Sequence, residues 1–436
     1  MEPVKIGLLG LGTVGGGTVS VLSRNANEIA RRAGRAITIS QAAAKEYSKD
    51  ISGLETVGNI TDDAFAVVND PDVEIIIELI GGYSPALELV MKAIENGKHV
   101  VTANKALIAT HGNEIFAAAQ AKGVTVAFEA AVAGGIPIIK AVREGLAANQ
   151  IEWAAGIING TSNFILSEML LKSRDFDDVL AEAQALGYAE ANPEFDIEGV
   201  DAAHKLTILS SIAFGIPLQF DKVYREGITN IERQDVAYAL ELGYKIKHLG
   251  ITRMTDQGVE LRVHPTLIPH RRLIANVDGV MNAILVKGDA VGPTLYYGAG
   301  AGSEPTASSV IADVVDVVRA LTTDPGNRVP HLAFQPSAMS DIAIKPMEEV
   351  ETGYYLRVLA VDKPGVLSDI TSILGDLNIS IEAIIQKEPE GDVADVPVIF
   401  LTQMTREKNM NQAISKIEAL ASVKDKVKRI RVESLA

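Results

Sequence analysis

"VKIGLLGLGTVGGG", Val4 to Gly17, passes from a short aliphatic run through a glycine-rich turn into residues compatible with a helix. The spacing is G-x-G-x-x-G at Gly10, Gly12 and Gly15. Glycines there permit a tight turn and close backbone approach, so that pyrophosphate oxygens can meet the amide groups that open the helix. A glycine triplet alone is weak evidence, because ordinary strand-to-helix turns are also rich in glycine. With a strand before it and a helix after it, the triplet predicts the first unit of a dinucleotide-binding α/β sheet. The next hundred or so residues keep that rhythm. "AITISQAAA", "DVEIIIELI", "KHVVTA" and "GVTVAFEA" are aliphatic runs separated by amphipathic stretches, which predicts a parallel sheet covered on both faces by helices.

The chain has 436 residues, and a domain commonly takes about 100–200, so two or three domains are expected. With 40 basic against 56 acidic side chains the formal charge is −16, which disfavours nucleic acid and anionic membranes as partners. Cysteine is absent, which excludes disulfides, thiolate nucleophiles and zinc–thiolate sites. The seven histidines show no metal-ligand spacing. The opening "MEPVKIGLLG" lacks the pattern of a secretory leader, and no apolar run approaches the ~18 residues of a membrane span. A cytoplasmic protein is expected.

Beyond Gly134 longer helical patterns and scattered strands replace the early rhythm. Residues 321–352 carry proline and polar residues without periodicity, as a linker or surface strap does. The last stretch reads strand, helix, strand, strand, helix, strand, the ferredoxin-like order. The expected divisions are a Rossmann-like domain at 1–133, an α+β catalytic and dimerisation domain at 134–320, the strap at 321–352 and a ferredoxin-like unit at 353–436.

Several residues are candidates for chemistry. After the second strand come Lys45 and Glu46, a cation suited to a 2′-phosphate and an acid suited to a ribose hydroxyl. Lys45 comes first and tilts the expectation toward NADP over NAD, although solvated loop charges are the commoner fate of such residues. "VVTANKALIATHG" sets Thr102, Ala103 and Lys105 at a strand's carboxyl end, where ligands of open α/β sheets bind. A cation opening a helix is electrostatically disfavoured, which speaks for a function of Lys105. In "NPEFDIEGVDAAHKLTIL", Asn192 to Leu209, Asp201 and Lys205 stand i, i+4 and share one helix face. On a surface that pair would be worth only ~0.3–0.5 kcal/mol. Half-buried, it would aim an amine whose pKa desolvation brings toward neutrality. Asp196 either supports a lysine from behind or caps the following helix. The paired glycines of "EAAVAGGIPII" fit a backbone wrapped around a hard cation, or a tight bend between domains.

"GLGTVGGG", "TANKALIATHG", "EAAVAGGIPII", "GIINGTSNFIL", "ALGYAEANPEFDIEGVDAAHKLTIL" and "YYGAGAGSEPTASSVIAD", in this order, resemble homoserine dehydrogenase over about residues 4–345. The final ~90 residues resemble an ACT domain, with "DKPGVLSDITSIL" as its first loop and helix. The resemblance implies reversible reduction of L-aspartate 4-semialdehyde to L-homoserine with a nicotinamide cofactor. It implies Lys205 as proton donor and acceptor, with Glu190 and Asp201 holding the substrate. Leu11, Thr13 and Val14 would hold the dinucleotide, Lys105 would reach its nicotinamide side, and Gly187 and Gly302 would close over it. Oxygens of Glu129, Val132, Gly134 and Ile136 would bind a monovalent cation, usually sodium. Asp362, Pro364 and Gly365 shape a turn at a helix N-terminus that suits an amino acid's carboxylate, and L-threonine is the expected effector. No kinase segment is expected, and the enzyme should be a homodimer or homotetramer. The rivals are a dehydrogenase for another amino-acid aldehyde and a catalytically dead amino-acid sensor; the presence of Lys105, Glu190, Asp201 and Lys205 speaks against the second.

Overall fold

The computed structural model describes residues 2–322, 328–387 and 395–435, so residues 323–327 of the expected strap lie outside the described residues. In chain order the strands are β1 (Val4–Leu9), β2 (Ile37–Ala43), β3 (Asn59–Thr61), β4 (Ile75–Glu78), β5 (His99–Thr102), β6 (Val126–Ala127), β7 (Ile151–Ile157) and β8 (Tyr224–Arg225). They continue as β9 (Tyr244–Thr255), β10 (Gly258–Pro269), β11 (Met281–Gly288), β12 (Gly292–Ala299), β13 (Glu351–Val361), β14 (Ile381–Gln386), β15 (Asp395–Arg406) and β16 (Lys428–Val432). The chain divides into two compact units: Met1–Gly160 with Asp201–Val223 and Val280–Ile342, and Thr161–Val200 with Tyr224–Gly279 and Ala343–Ala436.

The first unit holds an α/β sheet in the order β3-β2-β1-β4-β5-β6, with every pairing parallel. This is the doubly wound Rossmann order, and its switch point lies between β1 and β4. The strands read as unbroken aliphatic runs because helices cover both faces; Ile75, Ile76 and Ile77 are all fully buried. The run "GVTVAFEA" yields only the two-residue β6, because a 3₁₀ turn takes over at Glu129–Ala131. The same unit carries the antiparallel sheet β12-β11-β7. The helix Ser303–Ala320 follows β12 and sends Ala307, Val310 and Val314 into the core that contains Val4, Ile6 and Leu8 of β1. This helix lies 176 residues past the end of β6 yet completes the β1 core.

In the second unit the C-terminal segment has the order β16-β13-β15-β14 with its two helices, Val366–Asp376 and Glu407–Glu418. Tyr354, Leu356, Ile370, Phe400 and Ile417 form its core. That sheet continues through β16, which pairs in parallel with β10, and β10 pairs in turn with β9. Buried arginines fasten the junction. Arg431 of β16 bonds Glu226 at 2.7 Å as well as Glu407, and Arg262 of β10 bonds Glu260 at 3.0 Å as well as Glu433.

Candidate active site

The glycine-rich turn leaves β1 at the switch point, and its three glycines serve different ends. Gly10 has φ +98°, and a β-carbon there would stand 2.8 Å from the Leu79 carbonyl oxygen. A β-carbon on Gly15 would stand 2.0 Å from the Gly10 carbonyl oxygen, while one on Gly12 would meet nothing within 4 Å. The first and third glycines let the chain pack on itself, and the second leaves the approach clear for a ligand. The helix Thr13–Arg24 has Gly12 as its N-cap and no side-chain cap, an arrangement that suits an anion at its first amides. A groove of about 740 Å³ opens here, lined by Leu11, Gly12, Thr13, Glu46, Tyr47 and Asp50 among others. Ser303, which follows Gly302 at the start of its helix, donates to the Thr13 carbonyl at 2.7 Å. Lys45 is exposed just past β2, while its neighbour Glu46 lines the groove.

At the end of β5 the Thr102 hydroxyl donates to Glu78 at 2.7 Å and accepts from the Asn104 amide at 3.0 Å. Glu78, fully buried, also accepts from the amides of Ile80 and Gly81. Asn104 caps the helix Lys105–Lys122 by accepting from Leu107 N at 3.1 Å, and its amide donates to the Gly82 carbonyl at 2.7 Å. These bonds set the helix start, and with it Lys105, at the carboxyl edge of the sheet.

Opposite stands the helix Val200–Phe214, whose residues from Asp201 onward are all buried. An amphipathic surface helix would leave one face wet; this one has none, so its Asp201 and Lys205 must be satisfied internally. Lys205 Nζ donates to Asp201 Oδ2 at 2.7 Å and to the Ile158 carbonyl at 2.7 Å. Lys105 Nζ lies 2.8 Å from Asp201 Oδ1, and Asn159 Nδ2 donates to Asp201 Oδ2 at 2.9 Å. Burial alone would raise the Asp201 pKa, but the ammonium groups of Lys205 and Lys105 hold it below the ordinary carboxylate range. The result is one enclosed carboxylate between two amines, one of which, Lys205, is itself almost wholly enclosed. His204, one residue earlier, turns away and stacks on Phe220 at 4.2 Å.

Lys105, Asp201 and Lys205 thus come together within the first unit. Asn159 and the Ile158 carbonyl belong with them, although sequence reasoning passed over both. The signal was available in "GIINGTSNFIL", where an asparagine and a glycine close an apolar strand. Gly187, Glu190 and Asp196 belong to the second unit. Gly187 has φ +74° just past the helix Phe176–Ala185, and Glu190 is exposed with its carbonyl accepting from Gln184 at 3.1 Å. Asp196 closes a short helix, Glu194–Ile197, and its carbonyl accepts from the Ser162 hydroxyl at 3.1 Å.

The Glu129–Ile136 turn is also in the first unit. The Glu129 carboxylate accepts from the amides of Ile139 and Lys140, both at 2.8 Å, and burial together with nearby Asp313 pushes its pKa up to about 7. The Gly134 carbonyl accepts from Ser309 at 2.7 Å and that of Ile136 from Ile138 N at 2.8 Å. Each of these carbonyls keeps a second lone pair, and the Val132 carbonyl accepts no hydrogen bond among the described residues. The donor set is all oxygen, which fits a hard cation.

In the second unit Asp362, Pro364 and Gly365 line a pocket of about 320 Å³ with Gln386, Val396 and Val398. Gly365, φ +96°, is the N-cap of the helix Val366–Asp376, and Gln386 donates to Asp362 at 3.2 Å. A separate apolar cleft of about 730 Å³, lined by Phe116, His331 and Phe334, includes none of the ionic cluster.

The family profile described as homoserine dehydrogenase matches residues 137–315, that of the homoserine dehydrogenase NAD binding domain matches residues 10–129, and that of the ACT domain matches residues 354–422. The chain is 66% identical to a homoserine dehydrogenase of Pseudomonas aeruginosa and 57% identical to one of Neisseria gonorrhoeae, in each case over 100% of both chains. It is similar to the crystal structure of a homoserine dehydrogenase from Thiobacillus denitrificans, with TM-score 0.95 and 67% identity, covering 100% of this chain and 99% of that one. The Staphylococcus aureus enzyme crystallised at pH 6.0 gives TM-score 0.77 at 31% identity, covering 100% of this chain and 99% of that one.

Proposed function

The chain belongs to the homoserine dehydrogenase family, and from that premise we propose that it interconverts L-aspartate 4-semialdehyde and L-homoserine, with Lys205 as the proton donor and acceptor. The observation that carries this reading is the enclosed ammonium of Lys205, aimed by Asp201 and the Ile158 carbonyl. A nicotinamide dinucleotide, when bound, supplies the hydride for the aldehyde carbon and takes it back in the reverse direction. The carbonyl oxygen then carries a developing negative charge. Lys205 gives a proton to that oxygen in reduction and takes it from the hydroxyl in oxidation. Asp201 fixes the direction of Lys205 and neutralises it, while Lys105 adds positive charge on the far side of the same carboxylate. Asp201 also offers its carboxylate to the substrate's ammonium.

For the cofactor, Gly10, Leu11, Gly12, Thr13, Val14 and Gly15 would form the cradle, with Thr102, Ala103, Lys105 and Gly302 of the same unit toward the nicotinamide half. NADP is favoured through Lys45, although Glu46 in the groove suits a free ribose hydroxyl. A sodium ion at the oxygens of Glu129, Val132, Gly134 and Ile136 would brace the turn. The ACT segment takes L-threonine against Asp362, Pro364 and Gly365 and so brings threonine, methionine and isoleucine synthesis under feedback. The protein works in the cytoplasm as a homodimer or homotetramer. Homoserine-dependent reduction of NAD and of NADP, with and without L-threonine, tests the whole reading. No turnover of homoserine with either cofactor rejects it.

A further inference from the structure

Asn282 of β11 is 1% exposed, and neither atom of its carboxamide has a hydrogen-bond partner among the described residues. Such a group, desolvated and unpaired, is costly, and its presence in a folded chain calls for a partner. Its place in the sheet limits what that partner can be. Asn282 pairs with Gly298 of β12, and on its other side the register that joins Ala283 to Ile157 sets it level with Ile158 when continued by one residue.

The amide lies directly on Gly300, where a β-carbon would fall 1.9 Å from Nδ2 and 2.6 Å from Oδ1. The Gly300 carbonyl oxygen stands 2.5 Å from where a β-carbon on Gly134 would be, and the site of a β-carbon on Gly298 lies 3.1 Å from Ile136. One face of the sheet therefore brings the unpaired amide to the turn that contains Val132, Gly134 and Ile136. That turn is itself strained: Ala133 and Gly134 follow one another with φ 56° and 50°, and Ala133 is fully buried. A buried alanine held in the left-handed region marks a backbone shaped for something other than packing.

The surrounding chemistry is of one kind. The turn presents backbone carbonyls, including that of Val132, and the buried carboxylates of Glu129 and Asp313 stand behind it. A hard cation takes oxygen ligands alone, and the turn's carbonyls together with the Asn282 oxygen are of that kind. No hydrogen bond fixes which end of the Asn282 amide is oxygen, so that oxygen can face the turn.

We propose that Asn282 supplies a side-chain oxygen ligand to a monovalent cation bound at the Glu129–Ile136 turn, an inference that rests on the cation reading given above. The test is thermal unfolding of the full chain in sodium chloride against choline chloride at equal ionic strength, for the native chain, Asn282→Ala and Asn282→Asp. The native midpoint should climb with the logarithm of sodium concentration and not with choline. Asn282→Ala should need at least about tenfold more sodium for the same rise in midpoint, a loss of about 1.4 kcal/mol in binding. Asn282→Asp, which keeps an oxygen and adds charge, should reach that rise at a lower concentration than the native chain. Should Asn282→Ala fail to fold, Asn282→Asp decides alone: an unchanged concentration for the same rise overturns the assignment. An Asn282→Ala chain that gives the native rise at the native sodium concentration overturns the role of Asn282 and leaves the cation reading standing. A native chain that does not distinguish sodium from choline overturns both.

Discussion

Replacing Asp201 by asparagine removes the one negative charge between two amines, and the structure sets the size of the effect. Three donors converge on this carboxylate: Lys205 and Asn159 on Oδ2 at 2.7 and 2.9 Å, and Lys105 on Oδ1 at 2.8 Å. An asparagine can keep its oxygen toward Lys205 and Asn159, but its NH2 then faces Lys105, donor against donor. Breaking a buried ion pair by removing one partner costs about 3–5 kcal/mol. The lower end, about 3 kcal/mol, applies here because the Lys105 side chain is 35% exposed and can turn to water. For turnover, one weakened charge-assisted hydrogen bond at Lys205 is worth about 1.5–3 kcal/mol, or roughly 10- to 150-fold in kcat/KM. The acid dependence carries its own sign. Since the Asp201 pKa is lowered in the fold, its stabilising effect is complete above the ordinary carboxylate range and is lost as pH falls. Asp201→Asn should lack that part of the acid loss. Urea unfolding at pH 7 and in steps down to about pH 2, with initial rates at pH 7, measures both effects. Native stability and native kcat/KM in this variant would refute the claim that Asp201 neutralises and aims the two lysines.

Two further outcomes follow from the geometry. Gly15→Ala places a β-carbon 2.0 Å from the Gly10 carbonyl oxygen; overpacking of about 1–3 kcal/mol should weaken dinucleotide binding, read by fluorescence titration, while Gly12→Ala, which meets no neighbour, should be milder in stability. His99 and His331 accept backbone amides of Thr125 and Val126, and burial lowers the pKa of each to about 4. As pH falls from 6.5 toward 4 the unfolded chain takes up protons that these rings refuse, so stability should drop over that window, and His99→Gln with His331→Gln should flatten the drop in a denaturant series.

The dinucleotide half was legible because its information is local. Glycine spacing, aliphatic runs and the i, i+4 pair of Asp201 and Lys205 each lie within a few turns of chain. The βαββαβ order of the C-terminal segment was legible for the same reason. What escaped depends on contacts between distant residues. Nothing near Ser303 says that its helix completes the core of β1, and nothing in "KVKRIRVES" says that β16 will pair with β10. In that stretch Arg429, Arg431 and Glu433 alternate with Ile430 and Val432, the pattern of a strand with one solvated face. Arg431 is instead fully buried, because Glu226 and Glu407, distant in sequence, close on it. Asn159 was missed because an amide that steadies a carboxylate 42 residues away carries no periodic signature.

The most direct test is the Lys205→Ala variant, assayed in both directions with dinucleotide affinity measured separately. Asp201 keeps Lys105 and Asn159 as partners there, so the site should hold its shape. Loss of a positioned acid–base group predicts a fall of about 10²–10⁴-fold in kcat, with the dinucleotide bound as tightly as by the native chain. A Lys205→Ala protein that still reduces aspartate semialdehyde at the native rate would contradict the account at its root.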